Sequence, residues 1–138
     1  MRKYIFIGLG SFLGAILRYL IKSLPLGEGA FPLSTLIINV IGAFALAFIL
    51  SAALEIWDLS PDIRSGVTIG LLGAFTTFST LCKETVGLIS HQAFFFAGLY
   101  IVGSVLLGLG AAYLGVMLAR KLEASIGKRI GFEKSPRE

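Results

Sequence analysis

Four long apolar segments occupy most of the chain and limit what it can fold into more than any other feature. They cover about residues 4–21, 33–54, 63–89 and 93–119, and a helix needs about 20 apolar residues to cross a bilayer. Apolar residues make up 56% of the sequence and charged residues 14%, with a mean hydropathy of +0.88. A soluble domain is much less apolar. The sequence therefore predicts an all-α integral membrane protein with four transmembrane helices.

The charged residues lie at the ends of these segments and in the last part of the chain. The formal net charge is +4, but the basic residues do not gather on one face among aromatic side chains, so we expect no nucleic acid partner. Residues 1–119 are predicted to form the transmembrane domain, and residues 120–138 a charged tail that is interfacial or disordered. The excess of Lys and Arg near both termini favours a multi-pass arrangement with the termini in the cytoplasm.

The sequence argues against an enzyme. It contains no phosphate-binding loop, no cluster of metal ligands and no Ser/His/Asp grouping with suitable spacing. Cys82 is the only cysteine, so no intrachain disulfide can form, and its apolar neighbours predict a small packed side chain. The function is therefore to be sought in transport or in membrane assembly.

The most unusual stretch is GLLGAFTTFST, residues 70–80, which places four hydroxyl side chains within five residues of an apolar segment. Gly66, Gly70 and Gly73 permit the backbone to unwind there. A break would free carbonyl and N–H groups together, which can bind a cation and an anion. The alternative is an unbroken helix whose Ser and Thr side chains bond back to the preceding turn. The composition of the stretch leaves both structures open.

The first two segments each carry one conspicuous polar residue beside small residues. Gly10 and Gly14 form a stripe that lets helices approach closely in lipid. Arg18 continues that face, so it either points towards protein or extends to the headgroups. Asn39 either tethers two helices by hydrogen bonds or presents its two N–H donors to a bound anion.

The last two segments add further polar groups. Glu84 follows the hydroxyl-rich stretch, and we expect it in a watery vestibule or paired, because a charge is costly inside the bilayer. Tyr100 and Ser104 lie one helical turn apart in the fourth segment. A stripe of small residues continues from there, comprising Ser104, Gly108 and Ala112, with Gly115 near its end.

Motifs from all four segments together resemble the CrcB/Fluc family of fluoride channels. They are GSFLGAILRY at residues 10–19, STLIINVIG at 34–42, GAFTTFST at 73–80, and Tyr100 followed four residues later by Ser104. Their order and spacing match the family, and only the tail lies outside the resemblance. The TTFST core with an upstream membrane asparagine is the specific part of the match.

The resemblance implies a fluoride-selective channel in the bacterial inner membrane that lets F− leave the cytoplasm passively and reduces fluoride toxicity. It implies an antiparallel, dual-topology dimer whose third helix is broken near its middle. A structural Na+ would lie at the centre of the dimer, bound by the backbone carbonyls of Gly73 and Thr76.

The resemblance also implies which residues meet the anion. Asn39 would donate to fluoride, and Phe78 would offer it the electropositive edge of its ring. Arg18 would lie in a vestibule. The remaining residues of the fluoride pathway would be Ser79, Thr80, Glu84, Tyr100 and Ser104.

Two features depart from the family pattern. Leu81 stands where a second phenylalanine is usual, which removes one edge contact to the anion. The Lys and Arg asymmetry is stronger than a freely dual-topology chain requires, so the partner is either a second copy or an oppositely oriented paralogue.

Two other functions remain open from the sequence. One is a small multidrug-resistance-type exporter that exchanges protons for cationic substrates, although the first segment lacks the carboxylate that this mechanism needs. The other is a non-transporting membrane subunit whose polar residues serve only packing.

Overall fold

All of the regular secondary structure in the described residues is helical. The computed structural model describes residues 1–24, 31–55 and 60–133, without the side chains of residues 54–55 and 127–133. The elements in order are α1 (Arg2–Lys22), α2 (Leu33–Glu55), α3 (Pro61–Ser65), a π-helical segment (Gly66–Leu72), α4 (Gly73–Phe75), α5 (Phe78–Ser90) and α6 (Phe94–Glu133).

Four stretches of these helices are long and apolar enough to cross a membrane. They are Arg2–Lys22, Leu33–Ala53, Pro61–Ser90 and Phe94–Ile126. Each contains or closely matches one of the apolar segments of the sequence, and the prediction of four helices long and apolar enough to span a membrane is confirmed. The third stretch contains α3, the π-helical segment, α4 and α5.

Local sequence explains where several helices begin and end. Ser60 accepts a hydrogen bond from the N–H of Ile63, and Pro61 occupies the first helical position of α3, where its missing N–H costs nothing. Between α5 and α6 the chain turns at His91 and Gln92. Gln92 has a φ of 58°, a left-handed conformation that stops α5 and lets α6 run back beside it.

Glycines bring α1 against the third membrane-spanning stretch. A Cβ added to Gly10 would meet the carbonyl oxygen of Gly66, and one added to Gly14 would meet the carbonyl oxygen of Leu71. Gly70 faces the backbone of Ile7 in the same way. The predicted role of Gly10 and Gly14 in close helix packing is confirmed, and the contact places α1 beside the hydroxyl-rich stretch.

A second close approach joins α2 to α6 at Gly115, the glycine near the end of the predicted small-residue stripe. A Cβ at Gly115 would lie 2.6 Å from the carbonyl oxygen of Phe44, whereas a Cβ at Gly108 would meet nothing within 4 Å. Within the single chain, close packing is therefore found at the Gly115 end of the predicted stripe. Two crossing helices bring their backbones close over only a turn or two, and here that region is around Gly115.

The fourth helix passes the predicted end of the transmembrane domain without interruption. α6 continues through Arg120 to Glu133, so this part of the tail is helical. The reason is local, because Lys121, Leu122, Glu123 and Ala124 are all good helix formers. Residues 134–138 lie outside the described part, and the division of the chain at residue 119 stays a prediction.

Candidate ion pathway

The backbone leaves the helical conformation inside the hydroxyl-rich stretch. α4 ends at Phe75 and α5 begins at Phe78. Between them Thr76 has φ −76° and ψ 156°, and Thr77 has φ −149° and ψ 119°. Both residues are thus extended, and the backbone groups on either side need partners from outside the helix.

Asn39 on α2 supplies two of those partners. Its Nδ2 donates to the carbonyl oxygen of Thr77 over 3.0 Å, and the N–H of Thr77 donates to its Oδ1 over 2.9 Å. The side-chain amide therefore pairs with both backbone polar groups of Thr77, as a residue on a neighbouring strand would. Of the two roles considered for Asn39, these bonds describe the helix tether, and a contact with an anion stays a prediction.

Thr77 organises the residues that follow it. Its Oγ1 accepts the N–H of Thr80 over 3.2 Å and caps the start of α5. The Thr77 hydroxyl in turn donates to Thr80 Oγ1 over 2.9 Å, and its oxygen lies 3.3 Å from Ser79 Oγ. Sequence reasoning missed this role, although threonine is one of the residues favoured at the N-cap of a helix.

These bonds divert the donors that two carbonyl groups would have in a continuous helix. The N–H of Thr77 would normally bond to the carbonyl of Gly73, and the N–H of Thr80 to that of Thr76. Both N–H groups instead donate to side chains, Asn39 and Thr77 respectively. The carbonyls of Gly73 and Thr76 have thereby lost their helical donors, which suits them to bind a hard cation.

A groove brings the break and the aromatic ring of Phe78 together. It has a volume of about 320 Å³ and is lined by Asn39, Gly42, Ala43, Leu46, Thr76, Thr77 and Phe78. The Phe78 side chain is 78% exposed in the single chain. Gly42 permits the close approach, since a Cβ there would meet the Thr76 methyl group.

A second polar group surrounds Glu84. Tyr100 OH donates to its Oε2 over 2.8 Å, Thr35 Oγ1 donates to its Oε1 over 2.9 Å, and Lys22 Nζ lies 3.1 Å from Oε1. Each carboxylate oxygen thus has a donor, which offsets the cost of placing this charge among membrane helices. Glu84 is paired with Lys22, which was one of the two environments expected for it from the sequence.

Ser104 and Arg18 lie outside both hydrogen-bonded groups. The Ser104 hydroxyl is buried and has no hydrogen-bond partner among the described residues. Arg18 is half-buried, and the described part of the chain gives it no hydrogen bond or ion pair. An unpaired buried hydroxyl one turn from Tyr100 is a donor available to a ligand.

Known proteins with similar sequences identify the family. A family model described as CrcB-like protein, Camphor Resistance (CrcB), matches residues 5–116. The chain belongs to the CrcB family. The resemblance seen in the sequence motifs is confirmed.

Several curated CrcB relatives carry the name fluoride-specific ion channel FluC. The FluC 1 protein of Moorella thermoacetica is 43% identical over 119 residues, which cover 85% of each chain. FluC of Geobacter sulfurreducens is 45% identical over 111 residues, 79% of this chain and 90% of the relative. FluC of Chlorobaculum tepidum is 38% identical over 121 residues, which cover 87% of this chain and 96% of the relative.

The residues predicted for the site fall into two groups in this CrcB chain. Asn39, Phe78, Ser79 and Thr80 surround the break with Gly73 and Thr76, whereas Glu84 and Tyr100 meet in the second group. Sequence reasoning missed Lys22 and Thr35 in that second group. For Lys22 a signal existed, because it lies one turn after Arg18 on α1 and ends the helix.

Leu81, which replaces the second phenylalanine of the family pattern, lies on the protein side of α5. It packs against the cluster formed by Leu88, Ala97 and Tyr100. Phe31 contacts the same tyrosine, with ring centroids 5.6 Å apart and the rings nearly perpendicular. Leu81 therefore supports the position of Tyr100 from the side.

Proposed function

We propose that this chain is the subunit of a fluoride-selective channel that lets F− leave the cytoplasm passively and so reduces fluoride toxicity. The observation that carries the proposal is the match of residues 5–116 to the CrcB family, whose curated relatives are named fluoride-specific ion channels. The family consists of ion channels and not of enzymes.

The first fluoride contacts would lie in the groove beside the break. The Asn39 amide has two N–H donors, and one of them is bound to Thr77, which leaves the other for an anion. Phe78 lies in the same groove and can present its positive ring edge. Ser79 and Thr80 would supply hydroxyl donors in place of water. A small, strongly hydrated anion needs such closely spaced donors when it sheds water.

The pathway would continue along α6 and α5. Ser104 offers a buried hydroxyl without a partner among the described residues, and Tyr100, one helical turn away, bonds to Glu84. Arg18 is assigned to a vestibule, where its charge would raise the local concentration of anions. Fluoride would pass from one hydrogen-bond donor to the next without covalent chemistry.

The same break would hold a structural Na+. Oxygen atoms are the ligands that a hard cation prefers, and the carbonyls of Gly73 and Thr76 have lost their helical donors to Asn39 and Thr77. One chain offers few ligands, whereas two copies double the number. When bound, the Na+ would fix the relative position of the two broken helices.

The assembly would be an antiparallel dimer in the bacterial inner membrane, with the third membrane-spanning helix of each subunit broken at Thr76 and Thr77. The large exposed fraction of Phe78 in the single chain supports a partner that covers the groove. That partner is a second copy of this chain or an oppositely oriented paralogue.

A proton-coupled exporter is less well supported. α1 contains no acidic residue, and Glu84, the carboxylate that could replace it, is already held by three donors. Efflux of fluoride and of chloride from liposomes that contain the purified protein tests the channel directly. Fast fluoride efflux with little chloride efflux is expected, and a proton-driven loss of an organic cation would instead favour the exporter.

A further inference from the structure

The last turn of α1 places a cation beside the proposed pathway. Lys22 Nζ lies 3.1 Å from Glu84 Oε1. Neither the family resemblance nor the pathway described above gives Lys22 a role. Its contact with a pathway residue on another helix is the observation from which the inference starts.

Exposure falls steadily from Lys22 into the protein. The Lys22 side chain is 44% exposed and that of Glu84 is 23% exposed. Thr35 and Tyr100, which hold the other side of the carboxylate, are 0% exposed. The cluster therefore reaches the surface and would form a mouth of the proposed pathway, with Lys22 as its outermost member.

The ammonium group of Lys22 has donors to spare. It carries three N–H groups, and within the described part of the chain it donates only to Glu84. A cavity of about 380 Å³ opens beside Glu84, lined by Pro32, Glu84, Gly87, Leu88, His91 and Ala93. This space is large enough for an anion that still carries water.

An anion can approach the Glu84 carboxylate only if a nearby positive charge balances it. A carboxylate at the mouth repels an incoming anion, and the hydroxyl protons of Thr35 and Tyr100 already point to Glu84. Lys22 balances that carboxylate and still presents N–H groups outwards. Glu84 in turn holds the flexible lysine side chain in one place, which is a positioning role.

We infer that Lys22 captures fluoride at this mouth, with its ammonium bound to Glu84 on one side and to the entering anion on the other. The inference rests on the proposed channel function and adds a residue that sets how well the channel collects dilute fluoride. Loss of the charge should matter most when fluoride is scarce, because capture then limits the flux.

The test compares three variants with the wild-type protein in liposomes, each measured at low and at high fluoride. In Lys22→Gln we expect the flux at low fluoride to fall roughly threefold to tenfold and the loss to shrink as fluoride rises. Lys22→Arg keeps the positive charge and should recover most of the flux. The matched control is Lys83→Gln, which removes the same charge next to Glu84 in sequence, from an exposed lysine without a hydrogen bond or ion pair in the described residues.

Each outcome of this comparison either supports or overturns the role inferred for Lys22. A loss confined to Lys22→Gln and greatest at low fluoride supports the inference. Unchanged flux in Lys22→Gln, an equal loss at all fluoride concentrations, or an equal effect of Lys83→Gln overturns it. A wild-type protein that passes no fluoride, or passes chloride equally well, overturns the proposed function itself and is therefore distinguishable from failure of this inference alone.

Discussion

Asn39 and Thr77 are joined by two hydrogen bonds, of 3.0 Å from the side-chain amide to the Thr77 carbonyl and of 2.9 Å from the Thr77 N–H to the amide oxygen. The side-chain amide replaces the two backbone partners that Thr77 would have in the neighbouring turns of a helix, so that both backbone polar groups of Thr77 are satisfied. It also takes the Thr77 N–H away from the carbonyl of Gly73. One side chain on α2 thus stabilises the interruption and leaves the Gly73 carbonyl without its helical donor, as the proposed Na+ site requires.

Removal of this side chain should damage both stability and flux. In Asn39→Ala two buried backbone groups of Thr77 lose their partners, and we expect a loss of about 2–4 kcal/mol in the free energy of unfolding. Fluoride flux should fall at least about tenfold, because the groove loses its amide donors and the break loses its tether.

The control for Asn39→Ala is Ser51→Ala on the same helix, whose side chain makes no hydrogen bond in the described residues. Denaturation in detergent and flux in liposomes measure the two effects. Normal stability together with normal flux in Asn39→Ala would contradict the role given to the pair.

The proposed Na+ site predicts a dependence on the cation. Replacement of Na+ by a large organic cation on both sides should lower fluoride flux, and restored Na+ should bring it back, because the carbonyls of Gly73 and Thr76 would otherwise face each other without a cation between subunits. Thr76→Ser keeps the carbonyl and should keep the dependence. Flux that is indifferent to Na+ in the wild-type protein would rule out a structural Na+.

Close packing of α1 against the third membrane-spanning stretch predicts a steric effect at Gly14. A methyl group there would meet the carbonyl oxygen of Leu71, which belongs to the backbone and cannot rotate away. Gly14→Ala should therefore destabilise the protein by about 1–3 kcal/mol.

Gly8 provides the matched control for Gly14, because it lies on the same helix and a Cβ there would meet nothing within 4 Å. Gly8→Ala should leave stability unchanged or raise it slightly, since alanine favours a helix. Thermal unfolding of the purified proteins compares the two. Equal effects of both substitutions would show that the close approach at Gly14 is not important.

Much of the architecture could be predicted from local patterns. The four membrane-spanning helices follow from the length and apolar character of the segments, and the contact at Gly10 and Gly14 follows from their spacing of one turn. The turn at His91 and Gln92 likewise lies where the polar residues interrupt the apolar sequence. These features depend on residues that are close together in the chain.

The contacts that define the site depend on residues far apart in the chain. Lys22 and Glu84 are separated by 62 positions and Thr35 and Glu84 by 49, so no periodicity links them before the helices are packed. The role of Asn39 was ambiguous because a side-chain amide can bond to another helix or to an anion, and its partner Thr77 is 38 positions away in the chain. The sequence did not single out Gly115 within its stripe, because a stripe of small residues indicates a close contact without indicating where two helices cross.

The most direct test of the channel is the comparison of fluoride with chloride efflux from liposomes, made with the wild-type protein, with Phe78→Ile and with Phe95→Ile. Phe95 is a suitable control, because it is another exposed aromatic residue, on α6 and outside the groove. We predict fast fluoride efflux and little chloride efflux for the wild-type protein and for Phe95→Ile, and strongly reduced fluoride efflux for Phe78→Ile. Equal efflux of the two anions from the wild-type protein, or no efflux of either, would contradict the account.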